Sequence, residues 1–158
     1  MRRRKIMETR YLVVIGCQKE KLDLIDKKQR RKILDFINGN SNQYDSVISI
    51  VRKPMNGDTN FRRSGEVMSS DNVYLDYQSD NVIVVPGYDV DCSMFRKDAE
   101  YDIIGISTAA SVICCAMSMY SCGCKVRVLK EYCADRKSSK LHAEALDIMS
   151  AYMPGCII

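Results

Sequence analysis

The 158-residue sequence predicts an α/β domain of three layers, α-β-α, around a mostly parallel central sheet. Three observations carry that expectation. Short apolar runs recur as YLVVIG (11–16), SVISIV (46–51), NVIVV (81–85), YDIIGIS (101–107) and KVRVL (125–129), and runs without a polar face suit strands buried on both sides. Segments of helical period stand between several of them. That alternation is what parallel strands joined by crossover helices require.

Taken in order, residues 1–10 read as a flexible basic N-terminus and 11–158 as one domain. The first strand ends at Gly16 and gives way to KEKLDLIDKKQRRKILDFINGN (19–40), where Leu22, Ile25, Ile33, Phe36 and Ile37 fall near helical spacing and Asn38-Gly39 supplies a stop. Residues 52–81 contain Pro54, Gly57 and Gly65 among polar residues, with no sustained period. They read as a long loop with at most a short strand near Val73 to Tyr77. Residues 109–122 are too long for one strand and nearly all small or apolar, so they read as a buried helix closed by Gly123. SSKLHAEALDIMSAY (138–152) reads as a capped amphipathic helix, and GCII as a last edge strand.

Composition narrows the function classes. A 46% hydrophobic content is that of a globular chain, and no apolar run is long enough to span a membrane. MRRRKIMETR lacks the apolar segment of a signal peptide, so a cytoplasmic protein is expected. The eight cysteines stand in apolar surroundings, such as Cys114, Cys115, Cys122 and Cys124, and read as reduced, buried thiols. One histidine, His142, and no C-x-x-C pair argue against a structural zinc; no metal and no cofactor are expected. The net charge of +4 gathers most densely at Arg2, Arg3, Arg4 and Lys5, which read as a solvated tail rather than a nucleic-acid-binding arm.

In an open parallel sheet, ligands bind beyond the carboxyl ends of the strands, so Gly16 to Lys19, Arg52 to Met55, Pro86 to Asp89 and Ser107 to Ser111 should rim any site. There the residues resemble a known family. GISTAASV, followed by CAMSMYSCGCKVRVLKEYCAD, is similar to the isochorismatase-like cysteine hydrolases, which include the nicotinamidases. The frame of Gly105, Thr108, Ser111-Val112, Gly123, Val126 and Glu131 holds without a gap, and YLVVIGCQKE resembles the family's first strand. His142 also falls where such proteins often keep a histidine. The resemblance implies a nucleophilic cysteine at the start of the central helix, a proton-handling aspartate after the first strand and a supporting lysine after the third. Those positions fall on Ser111, on Gly16 and near Val85 or Pro86, so the three reactive groups are missing while Gln18 remains. The metal-binding aspartate and histidines of nicotinamidases are missing from VRKPMNGDTNF as well.

The expectation is therefore a catalytically inactive member of that fold. It would sequester or sense an anionic small molecule, a nucleotide or a phosphorylated or carboxylated metabolite, through Gln18, Arg52, Lys53, Thr108, Ala110 and Ser111. A helix start near Ala110 presents backbone N–H groups and a positive dipole end, with Arg52, Lys53, Arg62 and Arg63 adding charge. Two alternatives stand beside it. One is a hydrolase of amide or ester bonds using Ser111, with Asp89, Asp91 or Lys53 as base, Cys17 and Cys92 being the thiols nearest the rim. The other is an oligomeric scaffold for a protein partner. A homodimer or homotetramer is expected from the resemblance and from apolar segments such as CAMSMY and IMSAYMPGCII.

Overall fold

The computed structural model describes residues 8–52, 74–85, 87–88 and 90–158. Strand β1 (Thr9–Ile15) is central in a five-stranded sheet, with β2 (Ser46–Arg52) and β3 (Asn81–Val85) on one side and β4 (Ala99–Ile106) and β5 (Lys125–Ala134) on the other. The order is β3-β2-β1-β4-β5, every pairing is parallel, and the isochorismatase-like α/β architecture expected from the sequence is the one observed. β1 shows why a featureless apolar run becomes such a strand. Leu12 and Val14 face one layer and Val13 and Ile15 the other, all essentially inaccessible to water.

Helix α1 (Lys19–Leu22) and helix α2 (Lys27–Asn40) follow β1, and Ile33 and Ile37 of α2 pack on Leu12, Val14, Val47, Ile104 and Ile106. The single helix read over 19–40 is thus two. Asp26 interrupts it by accepting the Gln29 N–H at 3.0 Å, an N-cap that starts the helix afresh. Helix α3 (Ile113–Ser121) and helix α4 (Ser139–Tyr152) cover the opposite face through Cys115, Ala116, Met119 and Met149. The cap read for α4 is present: the Ser138 hydroxyl accepts the Leu141 N–H at 3.1 Å. The segments offered as an association surface divide, Met119, Met149 and Met153 being buried and Tyr120, Ile148, Tyr152 and Ile158 exposed.

Residues 74–77 form no strand, within the expectation of at most a short one, and the Tyr77 hydroxyl lies 2.7 Å from that of Ser49; Val73 lies outside the described residues. Two differences have local causes. GCII contributes one parallel bridge, Ile157 to Val128, in place of a strand. β5 runs five residues past the expected end, with Leu129 to Tyr132 bulging between the Ile103–Val128 and Gly105–Cys133 pairs. Tyr132 uses the bulge to stack on Phe36 at 4.0 Å between ring centroids.

Cys92 and Cys122 form a disulfide, contrary to the all-reduced reading, with Cα atoms 6.2 Å apart. It joins a turn of 3₁₀ helix at 92–94 to the end of α3. By closing a loop across a sequence separation of 30 it stabilises the fold by about 3 to 4 kcal/mol in the chain-entropy account. Among the described residues, no helix is long and apolar enough to cross a membrane.

Candidate functional site

The carboxyl ends of β1, β2, β3 and the start of the central helix converge on a small cleft, open to solvent, lined by Ile15, Gly16, Ile50, Arg52, Val85, Gly87, Tyr88, Ser111 and Cys115. It lies where the topology of a parallel sheet places a site. Arg52 ends β2 and is the one charged residue among these. Its guanidinium lies 4.1 Å from the Tyr88 ring centroid and donates to the Tyr88 hydroxyl at 3.0 Å.

Two glycines shape the cleft floor. Gly16 has φ +65°, and a Cβ there would stand 3.2 Å from the Ile106 carbonyl oxygen. Gly105 has φ +154°, and a Cβ there would lie 2.2 Å from the Ile15 carbonyl oxygen. The first is left-handed, which L side chains disfavour; the second allows β1 and β4 to come together.

From β4 the chain turns through Ser107, which is left-handed at φ +65°, into a π-helical turn (Thr108–Val112) that continues as α3. Non-glycine residues are held in that conformation only where surrounding structure compels it. The Ser107 N–H donates to the Ala134 carbonyl at 2.8 Å, and its own carbonyl accepts the Ala110 N–H at 3.0 Å and the Val112 N–H at 3.2 Å. The Ala109 N–H donates to Asp135 Oδ2 at 3.0 Å. The amides expected to face a ligand at Ala109 and Ala110 are thus already bonded, and Asp135 supplies an internal negative charge to the helix start.

The sequence-expected residues separate in space. Arg52 and Ser111 line the cleft. Thr108 is buried beside it and bonds the His142 ring at 2.8 Å from Oγ1 to Nδ1. Burial lowers the His142 pKa, and Asp135 opposes that shift. Gln18 is buried just beyond β1, where its carbonyl accepts the Lys21 and Leu22 N–H groups at 3.0 and 2.9 Å. Lys53, Arg62, Arg63 and Asp89 lie outside the described residues. Asp91, the other acid considered as a base, is exposed and accepts the Ser93 N–H at 2.9 Å. Among the described residues, no side chain is hydrogen-bonded to the Ser111 hydroxyl.

Cys115 is buried one turn below Ser111, on the cleft floor, and its thiol points to the Met119 sulfur at 3.7 Å. Cys17 is wholly buried, and burial pushes its pKa up, so it is not a reactive thiol at the rim. Cys92 is consumed by the disulfide. The acidic residue of the family frame is also displaced. Glu131 sits exposed on the bulge of β5, paired with Lys32 at 3.4 Å, and Asp135 is the carboxylate that reaches the helix start.

Sequence reading missed Lys21. This residue is only 8% exposed, and its pKa is lowered to about 8, first by burial and then by the like charges of Arg136 and Arg52, with Glu20 offsetting part. A charged residue in an amphipathic stretch gives no sign that it will be covered. Lys21 follows Gln18 by three positions, and that proximity to a strand's carboxyl end was the available signal. As to metals, no three His, Cys, Asp or Glu converge among the described residues, and the single histidine is committed to Thr108.

No family model and no curated protein matches the sequence. Solved structures do match the fold. A pyrazinamidase/nicotinamidase from Streptococcus mutans superposes with a TM-score of 0.69 at 14% identity, covering 95% of this chain and 100% of that one. N-carbamoylsarcosine amidase from Thermoplasma acidophilum gives 0.69 at 15% identity over 94% and 95% of the two chains. An isochorismatase family protein from Desulfovibrio vulgaris gives 0.69 at 14% identity over 95% and 94%. The chain has the α/β fold that these hydrolases share.

Proposed function

We propose that this protein is a catalytically silent counterpart of the isochorismatase-like hydrolases, and that its cleft binds an anionic small molecule without turning it over. The ligand class is a nucleotide or a phosphorylated or carboxylated metabolite, which the protein sequesters or senses. The observation that carries this reading is the charge inventory of the cleft. Its described lining holds one cation, Arg52, and no carboxylate, while the buried Lys21 and the exposed Arg136 add positive potential close by. Burial and these like charges lower the Lys21 pKa, and an anion in the cleft would favour its charged form.

The absence of turnover is supported by two features of the same cleft. Gly16 stands where the resemblance puts the proton-handling aspartate, in a backbone conformation unsuited to a side chain. Ser111 stands where it puts the cysteine, and a hydroxyl needs an adjacent base that the described residues do not offer. Tyr88, stacked on Arg52, offers a ring face to a ligand such as a nucleobase.

The test is native mass spectrometry of protein purified from cells, followed by denaturation and identification of what is released. A retained anionic molecule that is lost in Arg52→Ala is the expected result. Protein that is empty, or whose bound molecule is hydrolysed in a manner that Ser111→Ala abolishes, overturns the reading.

A further inference from the structure

Gly87 and Tyr88, which wall the cleft, belong to the connection between β3 and β4. Beyond them, Val90 and Phe95 bury their side chains, the latter edge-on to Tyr101 at 5.5 Å between centroids. Between these two anchors lies a single turn. The Asp91 carboxylate accepts the Ser93 N–H at 2.9 Å, and the Phe95 N–H donates to the Cys92 carbonyl at 3.1 Å. Those bonds are local to the turn; toward the helix α3 it is tied by the Cys92–Cys122 disulfide, with the Cys92 sulfur also 3.2 Å from the Ser118 carbonyl oxygen. Cys122 caps α3, the helix that leads back to Ser111 in the same cleft.

Of the four partly exposed cysteines, Cys92, Cys114, Cys122 and Cys156, the first and third are joined in a disulfide. Cys17, Cys115, Cys124 and Cys133 are buried, and burial raises Cys17 and Cys124 and carries Cys133 to about 12, which keeps these sulfurs protonated and inert. Cys92 and Cys122 are both partly exposed, so an external thiol can reach their bond.

We propose that Cys92–Cys122 is a redox latch beside the cleft: oxidised, it pins the 3₁₀ turn to the end of α3; reduced, it releases the turn between the Val90 and Phe95 anchors. The reducing step is exchange with a dithiol. A thiolate of the reductant attacks one cysteine sulfur, and the electron pair of the broken bond leaves on the other cysteine, which takes a proton. The second reductant thiol then breaks the mixed disulfide, so the reductant departs as a disulfide and two electrons and two protons have passed to the cysteines. Glutathione disulfide drives the reverse step by the same exchange. The latch acts on the turn itself and does not depend on which ligand the cleft takes.

The experiment uses the full chain equilibrated either with glutathione disulfide or with dithiothreitol, then denatured, alkylated and weighed. Six alkylated thiols are expected in the first sample and eight in the second, with the non-reacting pair mapped to Cys92 and Cys122. In parallel, amide exchange of the peptide spanning 87–95 accelerates about tenfold on reduction while peptides from β1 and β4 do not change. Cys92→Ser exchanges at the fast rate in both conditions, and Cys114→Ser keeps the response. Eight alkylated thiols in the oxidised sample, or equal exchange of 87–95 in the two, overturns the latch.

Discussion

The two ends of the sheet handle charge in opposite ways. Toward the amino ends of the strands, Asp102 is 2% exposed but fully answered: Arg127 donates Nε to Oδ1 at 2.8 Å and Nη2 to Oδ2 at 2.9 Å, Arg10 donates at 3.1 Å and the Tyr44 hydroxyl at 2.7 Å. A forked arginine against a buried carboxylate is among the stronger ionic arrangements a protein can make. Toward the carboxyl ends, Lys21 is buried near Arg52 and Arg136, with Glu20 offsetting part of the excess, and the backbone is left-handed at Gly16 and Ser107. A carboxylate met by four donors sits at one end, and a lysine whose pKa burial lowers sits beside left-handed backbone at the other.

Substitutions at the two ends should therefore shift stability in opposite directions. The largest effect is expected from Asp102→Ala, which leaves Arg10, Arg127 and Tyr44 without their common acceptor. Urea denaturation should show a loss of about 3 kcal/mol, discounted for the partial exposure of both arginines. A neutral result would mean the network is ornamental and the comparison empty.

Lys21→Met should instead stabilise, by up to about 3 kcal/mol below pH 8, because the folded pKa of about 8 lies well under the ordinary 10.5. The unfolded chain binds more protons than the folded one between those two values, so the lysine's penalty fades as pH rises through that window. The stability gap between variant and wild type should accordingly narrow from pH 8 to 10.5 and vanish above it. Taking the difference between the two proteins removes the shared titration of Cys133 and Tyr101, which burial raises to about 12 and which weakens both folds as alkalinity increases.

A smaller effect is expected from restoring the missing reactive groups. Gly16→Asp combined with Ser111→Cys should lose about 1 kcal/mol, because the aspartate must occupy a left-handed position close to the Ile106 carbonyl. The double variant should also fail to hydrolyse nicotinamide in an ammonia-release assay. Turnover by it would show that hydrolysis on this fold is here a matter of two side chains and not of the backbone beneath them. Smallest of all, Ser107→Gly should raise stability by a few tenths to about 1 kcal/mol by relieving the left-handed turn.

The strands were legible because a parallel sheet covered on both faces leaves nothing but apolar residues in its strands. YLVVIG and SVISIV announce burial by composition alone. The resemblance over 105–123 located the central turn and its serine, and Gly105 shows why that stretch is recognisable: the Ile15 carbonyl fills the space its side chain would take. What could not be read depended on contacts far apart in the chain. The bulge of β5 puts Asp135 and not Glu131 at the helix start, because the four residues between Val128 and Cys133 bow out before pairing resumes. Lys21 looks like any solvated helix charge until the neighbouring strand ends bring Arg52 and Arg136 toward it. The Cys92–Cys122 pairing joins two loops whose proximity only the folded sheet creates.

The bridge at Ile157 has a bearing on solubility. A sheet of parallel strands must end somewhere, and the outer rim of its last strand offers open donors and acceptors to any passing chain. Here the Val128 N–H donates to the Cys156 carbonyl at 2.7 Å, the Lys130 N–H to the Ile158 carbonyl at 3.0 Å, and the Ile158 N–H to the Val128 carbonyl at 2.9 Å. Three residues thus act as a selvedge, hemming the β5 rim so that another molecule cannot knit onto it.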